Sequence, residues 1–324
     1  MTEPEFHSSP SPGGRLGAGD VDQLEAQTRA LRAVDYRSGG GTCREAVVAR
    51  IRRAHEMLGQ PAAERVRARL LAAVADLHNL AGWTCFDSGH VGAAHHHLDL
   101  ALELATEAGN EDLTANIHYR RGRIRLHYGA PDGALGQFQL GQLAAQRSGS
   151  RLAAAILCAN QAWAYAKKGD KELATGLLGR AEEEFAAADV ADPPDWAKFF
   201  TRTDVAAMTG SVHTELALTA GGGRDADVAI DSLTEAVDGY GPDMTRSRTL
   251  CLMMLATNHL LAGDTDRGAA VGNEAVEAAG TLKSVRTKDR VRPLKQEADR
   301  RRDNRECRAL VEYISVFVTS PGPN

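Results

Sequence analysis

LAGWTCFDSGHVGAAHHHLDLALEL, residues 80–104, is followed one interval later by RRGRIRLHYGAPDGALGQFQLGQLA, residues 120–144, and then by NQAWAYAKKGDKELATGLLGRAEEE, residues 160–184. Gly89, Gly129 and Gly169 hold the same place in the three segments, 40 residues apart. In step with them run Ala94, Ala134 and Ala174, then Gly82, Gly122 and Ala162, then Ala101, Gly141 and Ala181. A fixed interval with a glycine at one turn per unit marks stacked helix pairs, in which no unit can bury its apolar face alone. The small residues before and after each turn glycine face one another where the two helices cross, and only Gly or Ala allows axes about 8–10 Å apart. The expected fold is all-α.

Working outward, the clear units fall at 75–109, 112–148 and 151–187, and further units at 203–240 and 243–280. The offset between the two groups places an insertion at 187–202. Within it, ADVADPPDWAKFF has Asp192 as a cap and Pro193 opening a short helix that carries Trp196, Phe199 and Phe200. Residues 20–58 give two amphipathic helices separated by Ser38-Gly39-Gly40-Gly41-Thr42, with Thr42 able to cap the second. Helices over 283–317 are expected to cap the array with a polar outer face. A disordered leader at 1–19 and tail at 318–324 complete a single domain spanning 20–317.

Composition excludes several classes. Apolar residues make up 43% of the 324 and aromatics 5%, which suits close helix packing and argues against a β-sandwich. The net charge of −5 gives no general affinity for nucleic acid. It hides an asymmetry, since Lys283 to Arg308 holds eleven basic and five acidic residues. A solvated basic face is the plain interpretation of that stretch. Five scattered cysteines, with no C-x-x-C pair, are expected to be reduced, buried thiols. Neither a signal sequence nor a membrane span is expected, so the chain is placed in the cytoplasm.

The spacings resemble those of the tetratricopeptide repeat, which has a small residue at its eighth position and alanines at its twentieth and twenty-seventh. Gly82, Ala94 and Ala101 fill those places in the first unit, and Gly122, Ala134 and Gly141 in the second. His78, His118 and Cys158 stand where that repeat carries tryptophan. The resemblance implies a right-handed superhelical solenoid of helix hairpins whose first helices line a concave groove. The residue after each eighth position points into it, which selects Trp83, Arg123 and Trp163. Asn79, Tyr119, Arg120, His127, Asn160 and Lys167 would share that face, with Thr214 and Glu215 continuing in the next unit. A guanidinium between two indoles is expected there, worth about 0.5–2 kcal/mol per contact. Trp196, Phe199 and Phe200 would then form either a plug between two halves of the superhelix or a lid over the groove.

No enzyme signature emerges. His55-Glu56 begins like a zinc-protease motif, but Gly59 occupies the place of the second histidine. His95, His96 and His97 are consecutive helical residues about 100° apart and cannot converge on one ion. Neither a metal nor a cofactor is expected. An active site in the groove would have to draw its acid or base from His118, His127 or Glu215.

Residues 20–51, LHNLAGWTCFDSG at 77–89, CANQAWAYAKKGD at 158–170, FFTRTDVAAMTGSVHTELA at 199–217 and LATNHLLAGDTDRG at 255–268 resemble the C-terminal region of actinobacterial helix-turn-helix transcriptional regulators. The likeness spans roughly residues 20–316. It implies an effector-sensing or dimerising module. The 19 residues before Asp20 are too few and too rich in Pro and Gly for a helix-turn-helix, so direct DNA reading is not expected. In architecture alone the chain is similar to Gram-positive peptide-pheromone receptors, which implies Asn79 and Asn160 as contacts to a peptide. The expected function is a regulatory scaffold, a homodimer, binding a peptide, a protein segment or a small anionic effector in its groove and acting through a partner. The alternatives are nucleic-acid binding through 283–308 and an enzyme seated in the groove.

Overall fold

The computed structural model describes residues 15–320. These form α1 (Ala18–Ser38), α2 (Gly40–Leu58), α3 (Glu64–Asp87), α4 (Val91–Glu107), α5 (Glu111–His127), α6 (Pro131–Ser148), α7 (Arg151–Lys167), α8 (Lys171–Ala186), α9 (Arg202–Ala220), α10 (Arg224–Gly239), α11 (Thr245–Leu261), α12 (Thr265–Gly280), α13 (Val285–Arg290), α14 (Arg292–Asp299) and α15 (Arg305–Thr319), with a 3-10 turn at Pro242–Met244. No strand occurs among the described residues, and no helix there is long and apolar enough to cross a membrane.

The turns explain the regular helix lengths. Gly89, Gly109, Gly129, Gly149 and Gly169 all adopt positive φ, between 65° and 83°, where a side chain would be strained. At each, the next residue donates its N–H to a carbonyl five residues back, as in His90 to Cys85 and Asp170 to Tyr165 at 2.8 and 3.0 Å. This closes the outgoing helix. Asn110, Ser150 and Asp170, the residues after three of these glycines, also cap the next helix by accepting from the backbone three residues on. Two adjacent residues thus stop one helix and start another.

Each pair packs through a small-to-large contact. A Cβ on Gly82 would fall 2.6 Å from Leu98 Cγ, and one on Gly210 would fall 2.5 Å from Leu233 Cγ. Gly122 likewise receives the Phe138 ring. Five pairs follow in series: α3/α4, α5/α6, α7/α8, α9/α10 and α11/α12. The first helices also pack on one another from α3 to α11.

The ends of the series meet. α1 packs on both α3 and α11. Lys283 donates its backbone N–H to Ser38 and accepts from Gly41, at 3.1 and 3.0 Å. A Cβ on Gly39 or Gly41 would lie under 3.0 Å from Lys283 O, and one on Gly40 would strike Thr84. The glycine run is therefore a close-approach site rather than a linker. Only Gly39 interrupts the helices, and Thr42 lies inside α2, its hydroxyl donating to Ser38 O, instead of capping it.

Several expected boundaries shift. Residues 1–14 of the expected leader and 321–324 of the expected tail lie outside the described residues. Leu16, at the inner edge of that leader, is buried, and its N–H bonds Pro61 O at 3.0 Å. The 187–202 insertion holds turns in place of the short helix expected after Pro193, with Ala197 N–H bonded to Pro194 O. All five cysteines are buried and unpaired.

Candidate functional site

The first helices of the five pairs line a shared cavity of about 160 Å³. The residue after each small crossing residue lines it: Trp83, Arg123, Trp163, Ser211 and Thr257. The sequence register therefore continues through all five pairs, beyond the three that the glycine interval displays. α1 contributes Tyr36, the 187–202 segment contributes Phe199 and Phe200, and the C-terminal cap contributes Arg286, Arg290 and Pro293.

Of the residues selected from the sequence, Trp83, Tyr119, Arg120, Arg123, Asn160, Trp163, Thr214 and Glu215 line this cavity together with Phe199 and Phe200. Four do not. Asn79 is fully buried behind the wall, where its side-chain amide N–H donates to Asn116 and its backbone carbonyl accepts from Arg120. His127 turns toward α13 and meets Asp289 at 3.2 Å. Lys167 is exposed and pairs with Glu215 at 2.7 Å. Trp196 faces α5, its indole N–H donating to Asp112 at 2.9 Å. The three candidate acids or bases do not converge, since His118 bonds Gln137, His127 bonds Asp289 and Glu215 accepts from Trp163.

The cation–π arrangement is the inverse of the expected one. Each indole carries two guanidiniums. Arg123 and Arg290 both stand 4.5 Å from the Trp163 ring, while Arg286 and Arg120 stand 4.7 and 5.5 Å from Trp83. Arg286 and Arg290 come from the basic stretch expected to be a solvated face. Its other arginines do lie outside, and Arg292, Arg300, Arg301 and Arg302 pair with acids three or four residues away.

Charge is unevenly balanced around the cavity. Asp87, fully buried, accepts from Gly40 N–H at 2.8 Å and Ser284 Oγ–H at 2.9 Å, with Arg286 Nε also 2.9 Å away. Burial raises its pKa, but Arg246, Arg286 and these donors outweigh that and hold the carboxyl below its usual value. Arg246 is in turn neutralised by Asp35, and Arg32 by Asp76 at 2.6 Å. Arg120, Arg123 and Arg290 have no carboxylate within ion-pair distance among the described residues. Arg120 donates to Asn79 O and leaves Nε unbonded, and Arg123 donates to Asn160 Oδ1 at 3.0 Å. Burial, then the charge of Arg123, pushes the Arg290 guanidinium down. Because a guanidinium keeps its proton near neutral pH, that penalty is paid as lost stability.

Aromatic side chains form another part of the lining. Phe199 stacks on Tyr119 at 5.8 Å and 18° and approaches Tyr36. The Tyr36 hydroxyl is buried without a partner. Asp204 closes the first turn of α9 with Thr201 and accepts from Tyr240 at 2.7 Å, and burial raises it to about 6.

Sequence reasoning missed a second cluster. His78 Nε2 lies 2.8 Å from His55 Nε2, and His78 Nδ1 lies 3.1 Å from His97 Nδ1. These are hydrogen-bond distances, shorter than two ligands on one zinc ion allow. No protein-family model matches the chain, and no curated protein matches it.

Proposed function

We propose that this chain is a regulatory sensor, a tetratricopeptide-like solenoid that has closed on itself and holds a small effector inside. One observation carries this: the residues picked out by the repeat register converge on one cavity, joined there by side chains of the 187–202 segment and the C-terminal helices, instead of running along an extended groove. Its volume is close to that of a cavity known to hold one benzene molecule, about 150 Å³. An extended peptide needs a longer channel, and the chain's own 187–202 segment and α13 occupy the ground it would cover. Of the peptide, protein-segment and small-effector readings, the geometry favours the last. Homodimerisation and action through a DNA-binding partner belong to the same proposal and rest on the resemblance to helix-turn-helix regulators. Nucleic-acid binding by 283–308 is the weaker alternative, because two of its arginines point inward and four others carry acidic partners.

Ligand-detected NMR with a fragment library tests the proposal. Fragments should compete for one site and lose binding in an Arg123→Ala, Trp163→Ala double variant whose circular dichroism stays helical. Fragments that still bind the folded double variant would remove the cavity from the proposal.

A further inference from the structure

We propose that the cavity takes a small organic oxyanion, a carboxylate or phosphate ester on an apolar body, with its charged head held by Arg123 and Arg290 beside Trp163. This rests on the small-effector reading above and adds the ligand's charge and its contacts.

Three guanidiniums, Arg120, Arg123 and Arg290, line the space without an ion-pair partner. The other arginines around them each have one: Arg32 with Asp76, Arg246 with Asp35, Arg286 with Asp87. Glu215, the carboxylate nearest in sequence register, is already engaged by Lys167 and by the Trp163 indole N–H. Arg120 is buried and Arg123 and Arg290 are half-buried, and charges withdrawn from water are ordinarily paired, because desolvating an unpaired ion is costly. An oxyanion in the cavity supplies the missing charge, and a planar guanidinium offers two parallel donors to receive it. Asp204, the other carboxylate of the lining, is likewise engaged, by Tyr240 and by Thr201, and a cation would meet repulsion from the unpaired guanidiniums, which disfavours metals and amines.

The rest of the lining sets the ligand's other end. Met208, Met253, Met254 and Leu250 from α9 and α11 and the aromatic pair Phe199 and Tyr119 supply its apolar part. Methionine sulfur and aromatic faces suit a ring or branched chain. The unpartnered Tyr36 hydroxyl offers one further polar contact.

The head group would be shared between α5 and α13, the latter only six residues long. Occupancy would then tie the C-terminal cap to the helical wall, so that a buried ligand changes what the outside of the molecule presents.

Calorimetric titration of the full chain at low ionic strength with benzoate, phenyl phosphate and neutral benzamide tests this. Saturable one-site binding of benzoate or phenyl phosphate is expected, with benzamide at least tenfold weaker. Benzoate alone would identify a carboxylate head and phenyl phosphate alone a phosphate ester. Arg123→Met and Arg290→Met should each weaken the anion by at least tenfold, yet leave the unliganded melting temperature at or above that of the parent chain. An arginine kept for structure would lower that temperature on removal, which would overturn the proposal. Equal affinity for benzamide and benzoate would overturn the anion site and leave the small-effector reading standing. Binding of none of the three, with fragments still held in the cavity, would do the same; loss of fragment binding as well would end both.

Discussion

Asp35 and Arg246 are separated by 211 positions in sequence and meet in a buried two-point ion pair, at 2.7 and 2.9 Å. The first joins α1 to the pair and the second α11, so this contact, with Asp87 beside it at 3.4 Å, closes the series of helix pairs. Removing Arg246 leaves Asp35 as a buried charge without its ion-pair partner, while Asp87 keeps Arg286. Arg246→Met should therefore cost about 3–5 kcal/mol in urea unfolding. A loss below about 1 kcal/mol, the range of exposed pairs, would show that the ends are not held by this contact.

The helix crossings make a paired prediction. Gly122→Ala forces a methyl against the Phe138 ring and should cost about 1–3 kcal/mol. Gly136→Ala, one helix later and with nothing within 4 Å of the added atom, should gain up to about 1 kcal/mol from helix propensity. Thermal melts of the two variants check the register, and the two changes having the same sign would contradict it.

Acid sensitivity should come from the histidine chain. Burial, then His97, His55 and His96, push His78 from 6.5 to about 3. Between those values the unfolded chain binds the extra proton, so stability falls as pH falls, by up to about 1.4 kcal/mol per pH unit for this group. Asp204, raised to about 6, acts in the opposite direction between 6 and 3.8. His78→Gln should flatten the decline in urea midpoint between pH 6.5 and 5. An unchanged decline would assign the acid limb to other groups.

Much of this was legible in the sequence, and the omissions have physical reasons. Turn glycines announce themselves because only they tolerate the left-handed backbone, and the small residues at the crossings keep their spacing because backbone approach leaves no room for alternatives. Gly109 and Gly149 carry the same signal at half the interval, a regularity that the 40-residue comparison passes over. Trp83, Arg123 and Trp163 could be placed on one wall from register alone. Arg286 and Arg290 could not, because their local pattern matches a solvated basic helix and only closure of the ends brings them inside. The Gly39–Gly41 run has the composition of a linker, and its use as a contact for Lys283 is visible only in three dimensions. Asn79, four residues before Trp83, lies only about 40° from it around the helix, so register alone puts the two on one face; its amide turns to Asn116 on the neighbouring helix, a contact visible only in three dimensions.

The most direct measurement is a crystal structure of the chain soaked with benzoate. The carboxylate is predicted at about 2.7–3.0 Å from guanidinium nitrogens of Arg123 and Arg290, with the ring against the apolar part of the lining. A benzoate bound only on the outer surface, with the space beside Trp163 empty or filled by water, would contradict the claim that this cavity is a receptor for small anions.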